Sequence, residues 1–323
     1  MRHLLIRFGF YALAAWVSIT LNFFLPRLMP GDAATAMFGR FQGKMSPEAL
    51  VALKQAFGFT DAPLWEQYLT YLGHLLQGDL GISISNFPKP VSELIAGGLL
   101  WTSVVAGSAL VIAFLIGTAL GTLIAWRRGR LLDRTLPPTF ALLGTFPYFW
   151  LAMVALWVFG FQLGWFPLRH AYSAHLEPAW TFTFISDVIA HAALPVASVV
   201  VATVGGWMMG MRNTMIAVLG EDYIRLAHAK GLPPRQVMMR YAARNALLPN
   251  VTSFGMAVGF VLGGALLTEI VFSYPGTGYL LLQAVRSQDY PLMQGLFLAI
   301  TMAVLLANWV VDLVVLWLDP RTR

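Results

Sequence analysis

Cysteine is absent from the chain, so neither disulfides nor thiol chemistry take part in its structure or activity. Charge is almost as scarce. Only 11% of the 323 residues are charged and 58% are hydrophobic, whereas a soluble domain carries about a quarter charged. Too few polar groups remain to coat a water-soluble globule of this size. Lysine occurs only as Lys44, Lys54, Lys89 and Lys230, and none is followed by Ser or Thr. A P-loop needs that pair, because its backbone and lysine cradle the phosphates. No ATP hydrolysis is therefore expected from this chain. His-Glu-x-x-His and Gly-x-Ser-x-Gly are also missing, which removes the helical zinc pair and the nucleophile elbow. His170 and His175, the one close histidine pair, read as surface groups rather than metal ligands. No catalytic and no metal-binding residues are expected.

What the chain does have is long apolar runs. They are continuous and roughly twice the length of the ten-residue alternating segments of a β-barrel. The expected class is an all-α integral membrane protein with six transmembrane helices. The runs are Phe8–Leu25, Leu99–Trp126, Leu136–Phe161, Val188–Met211, Leu247–Phe272 and Leu292–Leu318. The first reads as a retained span. It is long for a signal peptide, and Arg27 and two prolines separate it from the small-residue site Ala34-Thr35-Ala36. Gly117/Gly121 and Gly206/Gly210 are spaced for close helix packing. Pro137, Pro138 and Pro147 interrupt the third run, and Pro195 lies in the fourth.

The organisation expected is a first span at 1–29, a segment outside the membrane at 30–95, and a five-helix core at 96–323 with a polar loop at 213–249. In the 30–95 segment, Ser46-Pro47-Glu48 reads as a helix start closed by Gly58. A second amphipathic piece runs from Pro63 to Leu76, and Gly78-Asp79-Leu80-Gly81 reads as a turn. The segment suits a helical hairpin lying on the membrane or a docking surface for an external partner. With both termini on one side, the segments there hold fourteen basic residues against four acids. The positive-inside rule makes that side the cytoplasm. The basic residues are thus accounted for by orientation rather than by nucleic acid.

Two ionisable groups fall within or near spans: Glu269 near the outer end of the fifth, and Asp312 within the sixth. A proton relay needs a chain of such groups, so each reads as hydrogen-bonded within the bundle, with Asn308 or a backbone end as partner. An ion-coupled carrier remains the rival reading. Gly255, Gly259 and Gly263 form one stripe on the fifth span, suited to packing, to a dimer seam or to a gate. The polar stretch Glu221–Pro249 predicts two helices. Acids open the first, and Lys230-Gly231 ends it. Pro233-Pro234 opens the second, with Val237, Met238, Tyr241 and Ala242 on an apolar face and Arg235, Arg240 and Arg244 on a basic one. A mechanical lever and a lipid-held surface helix fit these residues equally well.

Asp222-Tyr223-Ile224-Arg225-x-Ala227-x-Ala229-Lys230-Gly231-Leu232, followed by Arg244-Asn245-Ala246-Leu247-Leu248-Pro249, resembles the EAA loop of ABC-importer permeases. The version is that of the dipeptide/oligopeptide/nickel branch, with Arg225 and Leu226 at the Glu-Ala positions. Pro30-Gly31-Asp32, Gly78-Asp79-Leu80-Gly81, Thr268-Glu269-x-Val-Phe272-x-x-Pro275-Gly276-x-Gly278, Asp289-Tyr290-Pro291 and Asp319-Pro320-Arg321 extend the resemblance over essentially the whole chain. The extra proline of Phe24-Leu25-Pro26-Arg27-Leu28-Met29-Pro30 is similar to oligosaccharide-importing members, so short peptides and oligosaccharides both stay open. The resemblance implies a multi-pass subunit of a bacterial cytoplasmic membrane, embedded in the lipid bilayer. Its implied partners are a second homologous permease, two cytoplasmic ATPases and an extracytoplasmic substrate-binding protein. ATP and Mg would be bound by the ATPases, and no cofactor by this chain. It further implies that residues 221–232 form a coupling helix, with Glu221, Asp222, Tyr223, Arg225, Ala227, Ala229, Lys230 and Leu232 in the ATPase contact. Gly231 is its expected hinge, and Arg235, Arg244, Asn245 and Pro249 are supporting contacts. The resemblance favours the docking reading of residues 30–95.

Overall fold

The computed structural model of the chain describes residues 2–28, 62–262 and 266–318. Apart from an isolated bridge between Ile82 and Pro90, the regular structure among the described residues is all helical. The expected helix at Ser46-Pro47-Glu48, the motifs Pro30-Gly31-Asp32 and Asp319-Pro320-Arg321, and Gly263 lie outside the described residues.

Helix α1 is Arg2–Leu28, with Gly9–Phe24 as its apolar part. Helix α2, Leu64–Leu76, starts after Pro63. The turn expected behind it is present: Asp79 Oδ1 accepts from Gly81 N at 2.8 Å. Helix α3 covers Val91–Trp126, 36 residues, or about 54 Å. It begins ahead of the predicted Leu99, because Pro90 sets an extended entry and Glu93 places an acid in the first turn. Helices α4 (Leu131–Leu143) and α5 (Tyr148–Gln162) meet at 92°. Of the three prolines expected to interrupt this run, only Pro147 stands at the break. Pro137 and Pro138 sit inside α4. Helix α6, Phe182–Leu219, runs for 38 residues through Pro195.

Helix α7 is Asp222–Ala229. Helix α8 spans 234–262 without interruption, passing through a wider π-helical stretch at Val237–Ala243. The two helices expected here, a short surface one and the fifth span, are therefore one. Helices α9 (Leu266–Val271), α10 (Thr277–Arg286) and α11 (Tyr290–Leu318) follow. Three described helices are long and apolar enough to cross a membrane, and the bent α4–α5 pair adds a fourth if it is one span. The first expected run falls on α1 and the fifth on α8 and α9, and neither is among the described helices long and apolar enough to cross.

The core is built along α3 and α6, which lie parallel. Val105 meets Leu194 near their starts, Ala109 and Ala113 meet Val200 and Val204 in the middle, and Ala125 meets Met211 and Met215 at the end. Gly117 and Gly121 lie at the closest approach. A Cβ at Gly121 would lie 2.5 Å from Met208 O and one at Gly117 2.5 Å from Trp207 Cβ. The predicted Gly206/Gly210 pair does not act as a unit. Gly206 faces open space, and Gly210 faces the Asn250 side chain. Gly205 instead receives Phe140 of α4, because α6 turns a different face to each of its neighbours. Gly121→Leu is expected to force α3 and α6 apart, since the obstacle is backbone and cannot move aside. A lower melting temperature in detergent, by several degrees, checks this.

Helix α1 packs along α11, where Tyr11 OH donates to Asp312 Oδ2 at 2.9 Å. One partner of Asp312 is thus a tyrosine of the first helix, which the sequence did not point to. Gly255 is partly buried on α8, and Gly259 lies on the same helix.

Candidate functional site

The polar stretch after α6 is assembled on a buried apolar cluster. Gly220 and Glu221 turn the chain, with Glu221 N donating to Val218 O at 3.1 Å. Glu221 is extended at the head of α7, and Asp222 supplies an acid to its first turn. Asp222 and Arg225 form a 3.3 Å ion pair. Both side chains are largely exposed, so water screens the pair and it adds little. Ile224 and Ala227 point the other way and are buried. They sit among Ala125 of α3, Met211 and Met215 of α6, and Val237, Ala242 and Ala246 of α8. One short helix thus rests on the ends of three long ones.

The end of α7 is fixed by hydrogen bonds. Gly231 N donates to His228 O at 2.9 Å and Leu232 N to Ala227 O at 3.3 Å, with Gly231 at φ +70°. This is a Schellman stop, completed by the apolar contact of Leu232 with the cluster around Ala227. Gly231, expected as a hinge, is held on both sides. A Cβ there would meet nothing within 4 Å, so its requirement is conformational rather than steric. Gly231→Asn is expected to be nearly neutral, and Gly231→Val to cost α7 about 1–2 kcal/mol. Hydrogen exchange of the α7 amides in the two variants checks the difference.

Two contacts brace α7 from its sides. Asn245 Nδ2 donates to Tyr223 OH at 3.0 Å and to Tyr241 O at 2.9 Å. His228 stacks on Trp126 with ring centroids 6.3 Å apart. The face left open carries Asp222, Arg225, Leu226, Ala229 and Lys230. Beside it α8 exposes Arg235, Met239, Arg240, Arg244, Leu248 and Pro249. Of the residues expected in the contact, Ala227 and Leu232 belong to the seat, and Tyr223 and Asn245 bond to each other. Gly255 and Gly259 belong to a later part of α8.

Three carboxylates, of which the sequence suggested a hydrogen-bonded role only for Glu269, tie distant elements together. Asp133 accepts from Arg212 Nε at 2.6 Å and from Gly129 N at 2.9 Å. This joins the head of α4 to α6, next to the α7 seat. The signal available was a single acid among four arginines between 127 and 134. At the opposite end of α3, Glu269 is buried and accepts from Thr102 Oγ1 at 2.7 Å, Gly278 N at 2.8 Å and Tyr279 N at 3.1 Å. It caps α10 from a distance. A Cβ at Gly276 would lie 2.3 Å from the Glu269 carboxyl, which accounts for the glycine there. Asp289 is also buried. It accepts from Ser83 Oγ, Ser85 N and Ser85 Oγ at 2.5, 2.8 and 2.6 Å, pinning the 81–90 loop to the head of α11.

Residues 117–323 match the family model described as binding-protein-dependent transport system inner membrane component. A di/tripeptide transport system permease protein of Pseudomonas aeruginosa is 36% identical over 323 residues, covering 94% of this chain and 93% of the relative. A dipeptide transport system permease protein of Escherichia coli is 34% identical, covering 95% of each. A glutathione transport system permease protein of Salmonella paratyphi A is 34% identical, covering 94% of this chain and 92% of the relative.

Proposed function

The chain belongs to the family of binding-protein-dependent transport system inner membrane components, and from that premise we propose that it is the permease subunit of an ATP-driven importer of short peptides. Relatives named for di- and tripeptides, dipeptides and glutathione support the peptide. They do not favour the oligosaccharide alternative. The chain forms the pathway with a second, homologous permease. An extracytoplasmic binding protein delivers the peptide, and two cytoplasmic ATPases hold ATP and Mg and perform the hydrolysis. Both termini and α7 lie in the cytoplasm, and residues 30–95 lie outside.

The observation that carries the coupling role is the two-sidedness of α7. Its inner face is seated on the ends of α3, α6 and α8, and its outer face presents Leu226, more than half exposed, among charged groups. A seated helix with an unpartnered mixed face is suited to receive a push from another protein and pass it to three spans at once. Asp222, Arg225, Leu226 and Lys230 make the contact. Tyr223 and Asn245 hold its shape, and Arg235, Arg244 and Pro249 extend it along α8.

Reconstitution into vesicles with the second permease, the ATPases and the binding protein tests this reading. Uptake of a dipeptide is expected to require internal ATP. Cysteine at Leu226 is expected to cross-link to an ATPase subunit. Uptake driven by a proton or sodium gradient without any ATPase would refute the importer reading and favour an ion-coupled carrier.

A further inference from the structure

We propose that the turn between α3 and α4 holds the phosphate headgroup of an anionic phospholipid of the inner leaflet. Arg127, Arg128, Arg130 and Arg134 are all exposed. Asp133 is the one acid in this stretch, and it is occupied. Its two oxygens take Arg212 Nε and Gly129 N, and its side chain is only 7% exposed. Among the described residues, none of the four arginines has a side-chain hydrogen bond or ion pair. The hydrogen bond from Arg212 holds the Asp133 carboxyl below the usual range, and Arg128 lies close enough to help, but one carboxylate already bonded to Arg212 leaves the cluster strongly positive.

Their scaffold is already ordered. The Asp133 contact fixes Gly129, Arg130 N donates to Arg127 O at 3.1 Å, and Arg134 N donates to Arg130 O at 3.2 Å. A pre-set turn loses less freedom on binding than a mobile one. Guanidinium forks match phosphate oxygens in pairs, and arginine is less strongly hydrated than lysine.

Depth and apolar surface select the occupant. Trp126 ends the apolar length of α3, which places the arginines at headgroup level. Leu131 is 75% exposed and Leu142 62% exposed, on a half-helix that continues into the bent span α4–α5. Exposed leucine beneath a cluster of arginines presents acyl chains with a surface and their headgroup with a charge. A cytoplasmic protein would meet the arginines but not the leucines below them. The inference rests on the orientation proposed above.

The assembled transporter, in nanodiscs of phosphatidylcholine titrated with phosphatidylglycerol, provides the test. Native mass spectrometry reads the phosphatidylglycerol that stays bound. Arg127→Ala/Arg128→Ala/Arg130→Ala is expected to weaken retention roughly 100-fold, each arginine contributing a factor of about five. The lysine triple variant keeps the charge and is expected to retain an intermediate share. Arg169→Ala, an exposed arginine far from the turn, is expected to leave retention unchanged. Equal retention by wild type and the alanine variant, or equal retention of phosphatidylcholine and phosphatidylglycerol, would overturn the site. So would loss of the ATPase subunits from the alanine variant with its lipid retained. ATPase co-purification with the wild type is read separately, so the lipid site and the importer reading fail by different results.

Discussion

Glu269→Ala is expected to lower the melting temperature in detergent by on the order of 10 °C, while Glu269→Gln leaves both stability and peptide uptake near wild type. The alanine variant removes the acceptor shared by Thr102 Oγ1, Gly278 N and Tyr279 N, leaving the hydroxyl only Thr277 Oγ1 at 3.0 Å and the two amides unpaired. Each orphaned group costs about 1–3 kcal/mol, and a water entering the vacated polar space recovers only part of that. Glutamine fits the same space. Its carbonyl accepts from the two amides at the head of α10, and its amide donates to Thr102 Oγ1. The hydroxyl already accepts from Thr277 N at 2.8 Å, so it acts as an acceptor there as well. The pair of variants also separates two functions. A carboxylate that shuttles protons is lost in the amide, and a carboxylate that only accepts hydrogen bonds is not. A glutamine variant that stays folded yet loses uptake would make Glu269 a proton carrier and revive the ion-coupled reading.

That carboxylate also marks the limit of what the sequence made legible. Apolar runs located the long helices α3, α6 and α11 and the bent α4–α5 pair, because a bilayer demands length and composition that a single segment displays on its own. Proline and glycine located the end of α7, because a Schellman stop is written in consecutive residues. Thr102 and Glu269, or Asp133 and Arg212, are far apart in the chain, and nothing local connects them. Glu269 could be read as hydrogen-bonded to a backbone end, which it is, but which end could not be read. The continuity of α8 was hidden for a different reason. Residues 234–246 are polar enough to look like a surface element, yet Val237, Ala242 and Ala246 bury one side of them against α3 and α6. Glycine spacing was an uneven guide. It located the α3–α6 contact at Gly117 and Gly121 but misassigned Gly206, because spacing does not say which face of a central helix meets which neighbour.

Ile224→Asp is expected to abolish ATP-driven uptake without removing the chain from the membrane. Helix α7 has 8 residues, shorter than the roughly 12–15 at which an isolated helix becomes marginal in water. It therefore exists because it is seated, and Ile224 is the large side chain at the centre of that seat, 2% exposed. An unpaired carboxylate there costs several kcal/mol. The cheapest escape is for α7 to lift off and fray, since the spans beneath it keep their own packing. Hydrogen exchange is expected to show unprotected amides at 222–229 and unchanged protection in α3 and α6. ATPase activity of the assembled complex should persist but no longer respond to the loaded binding protein. Leu226→Asp alters the opposite face of the same helix and is expected to act differently. It leaves α7 protected and weakens retention of the ATPase subunits. Seat and socket are then two separable properties of eight residues. Ile224→Asp with normal uptake would mean that the motion reaches the spans by another route.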